Sequence, residues 1–321
     1  MADPALDALL DELACTARRP RTVEELPGGL TNRNLKVTTP DGAVVVRLPG
    51  PGSGLLGIDR DHEFANSTAA ARAGVGAPVL DYRPGVALAV GFLPGRTLSD
   101  ADLHSPDVLG RVAVACRRLH AGPRFVNDFD MFAVQARYRR IVAEHGFRLP
   151  PRYDEFAPAV DRIRDALGPR VPGPPTTVPC NNDLLAENFL DDGERVRIID
   201  YEYSGNNDRC FELGNIWSEA TLPAPLLDVL VTAYFGRPRP VQVARARLFG
   251  LVARYGWTLW ASIQAGSSPL DFDFWSWGME KYDRAVAEFD DPGLADLLDL
   301  ARRPDPEVGA GTEANRTENE G

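Results

Sequence analysis

The stretch that decides the fold is residues 178–215, which read VPCNNDLLAENFLDDGERVRIIDYEYSGNNDRCFELGN. Asp183 and Asn188 stand five residues apart, and Asp200 follows twelve residues after Asn188. Residues 196–199 form an apolar run that ends at Asp200, and the Asp-Asp-Gly that precedes it is typical of a hairpin turn. The pattern therefore predicts two carboxylates and an amide close to a short hairpin.

The residue types at these three positions suit phosphoryl transfer. That reaction needs a carboxylate to accept the proton of the attacking hydroxyl, and oxygen ligands for Mg²⁺, which neutralises the charge of the nucleotide phosphates. In this interpretation Asp183 is the catalytic base, Asn188 and Asp200 are the metal ligands, and the cofactors are ATP and Mg²⁺. The alternative is a pair of Asx-rich turns around a hairpin, because a lone Asp-x-x-x-x-Asn pattern is common.

Composition narrows the class of protein. The 321-residue chain carries a net charge of −11, which disfavours a nucleic acid partner and is compatible with a small cationic substrate. It has no continuous apolar stretch of membrane-spanning length, and its acidic N-terminus is unlike a signal peptide, so we predict a cytoplasmic protein. The four cysteines and four histidines follow no metal-ligand spacing, so we expect free thiols and no structural zinc site. The oligomeric state stays open.

Hydrophobic periodicity predicts an α+β fold of two lobes, a small antiparallel sheet followed by a larger, mainly helical part. We predict a nucleotide-binding lobe over 1–93, a catalytic and acceptor-binding lobe over 94–303, and a disordered tail over 304–321. Asp41-Gly42 predicts a hairpin turn. The predicted elements are helices at 3–18, 59–73, 108–120, 128–145 and 153–167, loops at 49–57 and 170–175, and strands at 34–39, 43–48, 79–82, 86–92, 189–190 and 196–199.

The deciding stretch resembles the choline/ethanolamine kinase family, which has the aminoglycoside-phosphotransferase-like form of the protein-kinase-like fold. The similar motifs are NNDLLAEN at 181–188, IDYEY at 199–203, FELGN at 211–215 and WTLW at 257–260. The resemblance covers most of 28–290. The sequence departs from the family at Asn181, where a histidine is usual. That histidine mainly holds the loop in place, and Asn keeps both donor and acceptor capacity, so we expect activity to be retained.

The resemblance also implies a nucleotide side. Residues 28–32, Gly-Gly-Leu-Thr-Asn, are similar to the loop of the family that lays backbone N–H groups over phosphates, although a plain turn would look the same. Arg47 lies in a predicted strand where the family places a phosphate-binding cation, and Glu63 in the next helix is its predicted partner. The alternative is an exposed Arg and a solvated Glu. The implied nucleotide-binding residues are Gly29, Leu30, Thr31, Asn32, Arg47 and Glu63.

On the acceptor side, Trp257 and Trp260 share a face of a predicted helix, and aromatic faces attract quaternary ammonium groups. They match a Trp pair that lines the choline pocket of the family, whereas the alternative is core packing. Trp275 and Trp277 are not covered by this match. Further acidic and aromatic groups expected around the same cation are Glu202, Tyr203, Glu212 and Glu219.

These interpretations lead to an ATP- and Mg²⁺-dependent kinase of a small amino alcohol, choline first and ethanolamine second. One alternative is a kinase of another cationic alcohol, such as an aminoglycoside or thiamine. The other is a pseudokinase, a binding module that keeps the fold without the chemistry, and Asn181 is its only support.

Overall fold

The computed structural model describes residues 3–50, 53–168 and 176–305. The helices are α1 Pro4–Glu12, α2 Ser53–Leu56, α3 Arg60–Arg72, α4 Asp100–Leu103, α5 Pro106–His120, α6 Met131–His145, α7 Ala157–Leu167, α8 Arg209–Glu219, α9 Ala224–Phe235, α10 Pro240–Ser267, α11 Phe274–Phe289 and α12 Leu294–Arg302. The strands are β1 Thr22–Leu26, β2 Asn32–Thr39, β3 Gly42–Pro49, β4 Val79–Arg83, β5 Ala87–Gly91, β6 Arg96–Thr97, β7 Val178–Cys180, β8 Phe189–Asp191, β9 Val196–Ile198 and β10 Gly205–Asn207.

The N-terminal part is one antiparallel sheet with strand order β1-β2-β3-β5-β4. The β2–β3 hairpin forms at Asp41-Gly42, as the sequence predicts, but residue 39 pairs with residue 42, so Pro40 and Asp41 are the two turn residues and Gly42 begins β3. Leu35, Val37 and Val46 point to the buried side, where they pack against Leu10 and Leu13 from the end of α1. This alternation of buried and exposed side chains fixes the register, since a slip of one residue would expose the apolar set.

The C-terminal part is helical, and α10 is its centre. Residues 248–264 of α10 are all buried, because α6, α8 and α11 surround this helix. The approach of α8 is very close: a Cβ at Gly214 would lie 2.0 Å from the carbonyl oxygen of Ala246. A glycine is therefore required there. The mixed fold with a small antiparallel sheet and a mostly helical remainder confirms the predicted fold class.

Helix α3 joins the two parts. Its Ala69 and Ala70 belong to the large helical core and not to the core of the sheet. Asn66 of α3 donates to the side chain of Asn127 at 2.8 Å and to Ser204 Oγ at 3.0 Å. The N-terminal end of α3, which carries Arg60 and Glu63, is thereby held next to the segment that follows Asp200.

Several predicted bounds differ from the structure. Helix α1 ends at Glu12 and not near residue 18, because Asp81 accepts the N–H of Ala14 and the Thr16 hydroxyl donates to the carbonyl of Leu10. Strand β1 was not predicted, since its exposed side chains give no alternating signal. The predicted loop 49–57 contains the short helix α2.

Some predictions lie wholly or partly outside the described residues. These are the loop at 170–175, and the tail from residue 306 onward. The division into lobes at residue 93 stays a prediction. Within the described ranges, the helices are too short or too polar to cross a membrane.

Candidate active site

Side chains of α8 hold the loop that carries Asp183. Both carboxylate oxygens of Glu212 accept backbone N–H groups of the loop, from Asn181 at 2.8 Å and from Asn182 at 2.9 Å. Asn215 Oδ1 accepts the N–H of Leu184 at 2.7 Å. Glu212 is fully buried. The structure thus places Glu212 behind the loop, where its carboxylate supports the backbone, and not among the aromatic residues of the predicted acceptor pocket.

Asn181 joins the loop to the segment that contains Asp200. Its Oδ1 accepts the N–H of Asp183 at 3.1 Å, and its Nδ2 donates to the carbonyl oxygens of Ile199 and Asp200 at 3.2 and 2.7 Å. Asp200 has a φ of 63°, in the left-handed region that Asp tolerates better than most residues. Asn181 therefore uses its donor and its acceptor together, and these bonds fix Asp183 relative to Asp200.

Asn188 and Asp200 both carry side-chain oxygens, and the backbone segments on which they lie are hydrogen-bonded to each other. The N–H of Ile199 donates to the carbonyl of Asn188 at 3.0 Å, which brings the two residues together. Asn188 Nδ2 donates to the carbonyl of Asp183 at 2.7 Å, so the atom that its side chain can offer to a metal is Oδ1. An amide oxygen and a carboxylate are the ligand types that Mg²⁺ prefers, so this pair fits the predicted metal site.

Arg47 connects β3 to both α3 and the Asp200 segment. Its Nη2 lies 2.6 Å from Asp200 Oδ1 and 3.4 Å from Glu63 Oε1. Burial alone would lower the pKa of Arg47, but the carboxylates of Asp200, Glu63 and Glu202 outweigh it and raise that pKa. Arg47 is therefore a permanent cation, and the predicted pairing of Arg47 with Glu63 is present in the structure.

The loop 28–32 lies next to Glu202. Gly28 and Gly29 have φ values of 86° and 93°, and a Cβ at Gly29 would lie 2.5 Å from the carbonyl oxygen of Asn32. These positions require glycine. Beyond them, Thr31 Oγ1 donates to Glu202 Oε1 at 2.6 Å and Asn32 Nδ2 donates to Glu202 Oε2 at 2.8 Å.

The aromatic residues of the predicted acceptor pocket do come together. Trp260 Nε1 donates to the hydroxyl of Tyr203 at 2.8 Å, and the ring of Tyr203 meets that of Trp257 edge-on with centroids 5.0 Å apart. Trp277 of α11 adds a further ring, 5.5 Å from Trp260. Trp275 lies elsewhere, with the guanidinium of Arg148 3.8 Å from the centre of its ring.

Charged groups lie around the same rings. Lys281 forms an ion pair with Glu219 Oε2, and its Nζ lies 4.2 Å from the centre of the Trp277 ring. Glu219 Oε1 is buried and makes no hydrogen bond among the described residues. An acceptor oxygen left without a donor in a buried place costs free energy, so this atom is suited to a ligand that brings an N–H group.

Charged groups near the aromatic rings and near the metal ligands both act on Asp183. Burial raises the pKa of Asp183 well above its ordinary value, and the charges of Glu219, Asp200 and Glu202 raise it further, while Lys281 opposes them. Burial also raises the pKa of Glu202, to about 7, with Asp200 as the next cause. A carboxylate with a raised pKa is a stronger base, which suits a residue that accepts a proton.

A second polar cluster lies behind the loop. His120 Nε2 is 3.6 Å from Cys180 Sγ and 3.7 Å from Glu212 Oε1, and all three residues are buried. All three are possible metal ligands, a grouping that their sequence spacing does not indicate. Tyr234 Oη lies 2.7 Å from His120 Nδ1, so the cluster already has internal hydrogen-bond partners. All four cysteines are free thiols.

Three residues of the site escaped the sequence prediction: Arg60, Trp277 and Lys281. Arg60 stands three positions before Glu63, a spacing that could have marked it as a partner on the same helix face. Trp277 and Lys281 stand four apart on α11, but nothing local indicates that they meet Trp260 and Glu219.

Comparisons with known proteins agree with this geometry. Residues 22–246 match the model of the APH family, described as the phosphotransferase enzyme family. The crystal structure of a choline/ethanolamine kinase family protein from Mesorhizobium loti is 30% identical, with a TM-score of 0.81, and the match covers 93% of this chain and 98% of that one.

Two curated relatives are similar over most of their length. Protein LicA of Haemophilus influenzae is 30% identical over 247 residues, which are 73% of this chain and 90% of LicA. A probable ethanolamine kinase of Arabidopsis thaliana is 26% identical over 295 residues, 81% of this chain and 78% of its own. The chain therefore belongs to the phosphotransferase enzyme family and, within it, to the choline/ethanolamine kinase family of phosphotransferases with an alcohol acceptor.

Proposed function

We propose that this protein transfers the γ-phosphate of ATP to the hydroxyl of a small amino alcohol, choline first and ethanolamine second, with Mg²⁺ as cofactor. The observation that carries the proposal is the place of Asp183. Asn181 bonds both the N–H of Asp183 and the carbonyl of Asp200, which places Asp183 beside the oxygen-ligand pair. Burial raises the pKa of Asp183, and the charges of Glu219, from the group of aromatic and charged residues, and of Asp200 raise it further. A carboxylate influenced by both groups is well placed to act on a hydroxyl between them.

Each group has one role in this proposal. Asp183 orients the acceptor hydroxyl and takes its proton. Arg47 and the backbone of the loop 28–32 bind the phosphates. Asn188 and Asp200 would hold Mg²⁺, which when bound neutralises phosphate charge. Asp200 pairs with Arg47 at 2.6 Å, so the residue that would hold the metal and the cation that would bind the phosphates lie side by side.

The acceptor pocket supports an ammonium group. The rings of Tyr203, Trp257, Trp260 and Trp277 lie together, and aromatic faces attract a quaternary ammonium such as that of choline. The orphan Oε1 of Glu219 favours ethanolamine as the second candidate, because a primary ammonium donates N–H bonds and a quaternary one has none.

The two alternatives have less support. Aminoglycosides carry several ammonium groups, and the concentration of aromatic rings suits a single cation better than many. The pseudokinase alternative rests on Asn181, whose three hydrogen bonds hold Asp183 and Asp200 in place. These bonds favour a competent loop over the pseudokinase alternative.

A coupled assay of ADP release tests this proposal. The panel contains choline, ethanolamine, thiamine and an aminoglycoside, each with Mg²⁺ and ATP. We expect turnover with choline or ethanolamine and none above background with the other two. Turnover confined to the aminoglycoside or thiamine would reject the acceptor class. No turnover with any alcohol, alongside normal Mg-ATP binding, would favour the pseudokinase.

A further inference from the structure

Three side chains of the N-terminal part converge on one carboxylate, that of Glu202. The Thr31 hydroxyl donates to Glu202 Oε1, and the Asn32 amide donates to Glu202 Oε2. Arg60 Nη1 lies 3.2 Å from the same Oε2. The side chain of Glu202 is only 6% exposed, so these protein donors replace most of the water that a free carboxylate would bind.

The same contacts extend to the nucleotide cation. Arg60 Nη1 also bonds Glu63 Oε2 at 2.6 Å, and Glu63 in turn pairs with Arg47. Arg60 therefore bridges two carboxylates, one from α3 and one from the segment that follows Asp200. A single chain of ion pairs runs from β3 through α3 to Glu202.

The loop 28–32 has a further contact with the helical part. Gln264 Nε2 of α10 donates to the carbonyl of Leu30 at 3.4 Å, and Gln264 stands one turn after Trp260. The loop is therefore tied both to the segment with the metal ligand and to the helix with the acceptor aromatics. Its backbone position depends on these long-range side-chain contacts.

We propose that Glu202 is a positioning residue that fastens the loop 28–32 to the Asp200 segment, and that it does not bind the acceptor. The sequence comparison places Glu202 among the ammonium-binding groups, but its two oxygens are already engaged by Thr31, Asn32 and Arg60. Glu219 differs, because its Oε1 has no partner among the described residues. This inference rests on the proposed function in one respect, that the loop 28–32 binds the nucleotide.

A double-mutant cycle of Thr31→Val and Glu202→Ala tests the proposal. The dissociation constant of Mg-ATP is measured by calorimetry without any acceptor, and the KM of each substrate is measured separately. We expect each single change to weaken Mg-ATP binding by about tenfold, because each removes a hydrogen bond to a buried carboxylate. The double change should cost no more than Glu202→Ala alone, since Glu202→Ala already removes the acceptor of the Thr31 hydroxyl. The acceptor KM should stay within about twofold.

The controls separate this contact from general damage. Thr68→Val removes a hydroxyl that bonds to the carbonyl of Phe64 within α3, and Glu155→Gln removes an exposed ion pair with Arg152, so both should leave Mg-ATP binding unchanged. Arg60→Lys keeps the charge and should restore part of the affinity that Arg60→Ala loses. Melting curves identify variants that do not fold. If Glu202→Ala is one of them, the separate losses of Mg-ATP affinity in Thr31→Val and Asn32→Ala, each with an unchanged acceptor KM, replace the cycle.

Two results would overturn the assignment of Glu202. One is a raised acceptor KM in Glu202→Ala with unchanged Mg-ATP affinity. The other is additive losses in the cycle. Failure of the proposed function looks different, because a wild-type protein that binds no Mg-ATP would overturn both proposals, whereas wild-type binding without amino-alcohol turnover leaves the cycle fully informative.

Discussion

At the scale of single residues, Asn181 decides whether the loop is competent. Its amide links Asp183 to Asp200 through three hydrogen bonds, all in a fully buried place. A side chain with one donor group and one acceptor group is enough for these bonds. The histidine that is usual in the family is therefore not required to hold this loop.

Asn181→Ala tests this role. Removing the amide leaves two carbonyls and one N–H without their partner, so we expect kcat to fall by about ten- to a hundredfold while Mg-ATP still binds. Asn181→Asp keeps the acceptor but loses the donor and adds a charge, and should be at least as damaging. Steady-state kinetics and calorimetry measure the two effects. Unchanged kcat in Asn181→Ala would show that the loop is held by other contacts.

The raised pKa of Asp183 predicts that this carboxyl, which the proposed activity needs, lowers the stability of the fold when it is ionised. Burial, then Glu219 and Asp200, raise this pKa in the free protein. A carboxyl whose pKa is higher in the folded state destabilises the fold when ionised, so the cost is absent below the unfolded pKa and complete above the folded one. Asp183→Asn should therefore raise the melting temperature at neutral pH, by about 1–3 °C, while it abolishes turnover.

The pH dependence checks the cause of that effect. The gain in melting temperature should shrink as the pH falls toward the ordinary pKa of Asp, because the wild-type carboxyl is then protonated in the folded and the unfolded state alike. Calorimetric melting of both proteins over a pH series, without nucleotide or metal, measures it. A gain that is the same at every pH would assign the effect to packing and not to charge.

Prediction from sequence was most informative about residues whose position follows from local spacing. Asp183, Asn188 and Asp200 lie where the hairpin pattern put them, and Arg47 does meet Glu63. It was less informative for Glu202 and Glu212. A motif gives the position of a carboxylate along the chain but not the direction of its side chain.

At the scale of elements, the contact of α8 with α10 fixes the position of the residues that hold the Asp183 loop. Gly214 lies between Glu212 and Asn215, the two residues that hold the loop. A Cβ there would also lie 2.9 Å from the backbone nitrogen of Gly250. No rotamer can relieve a clash with backbone, so α8 would have to move away from α10.

Gly214→Ala should therefore destabilise the protein strongly, by about 2 kcal/mol or more, and lower kcat in the part that stays folded. Gly110→Ala is the matched control, because a Cβ at Gly110 in α5 meets nothing within 4 Å. There the helix propensity of Ala should stabilise the protein by up to about 1 kcal/mol. Denaturant unfolding compares the two. Equal effects of the two substitutions would contradict the close approach of the helices.

Elements with strong local signals were predicted well. The β2–β3 hairpin and α3 lie within two residues of their predicted bounds. Helix α1 was predicted too long, because a carboxylate 67 residues away takes the N–H that the next turn would use. Short strands such as β7 and β10 were missed, since three residues carry no period and exist only through their pairing.

At the scale of the whole molecule, the site depends on contacts between distant parts of the chain. The loop 28–32 reaches Glu202 across about 170 residues, as the separation of 171 between Thr31 and Glu202 shows. Lys281 meets Glu219 across a separation of 62. Periodicity and turn signals act over a few residues, so such pairs could not be predicted from them. The resemblance to a family indicated the order of the motifs along the chain, and the three-dimensional structure shows which of them are in contact.

The most direct test of the central claim is to identify the phosphorylated product. The protein is incubated with Mg²⁺ and ATP labelled at the γ-phosphate, together with choline or ethanolamine, and the products are resolved by chromatography and mass spectrometry. We predict a labelled phosphoester on the hydroxyl of the amino alcohol, and none with Asp183→Ala, although that variant still binds Mg-ATP. Label found only in free phosphate, or a phosphoester that Asp183→Ala forms at the wild-type rate, would contradict the account.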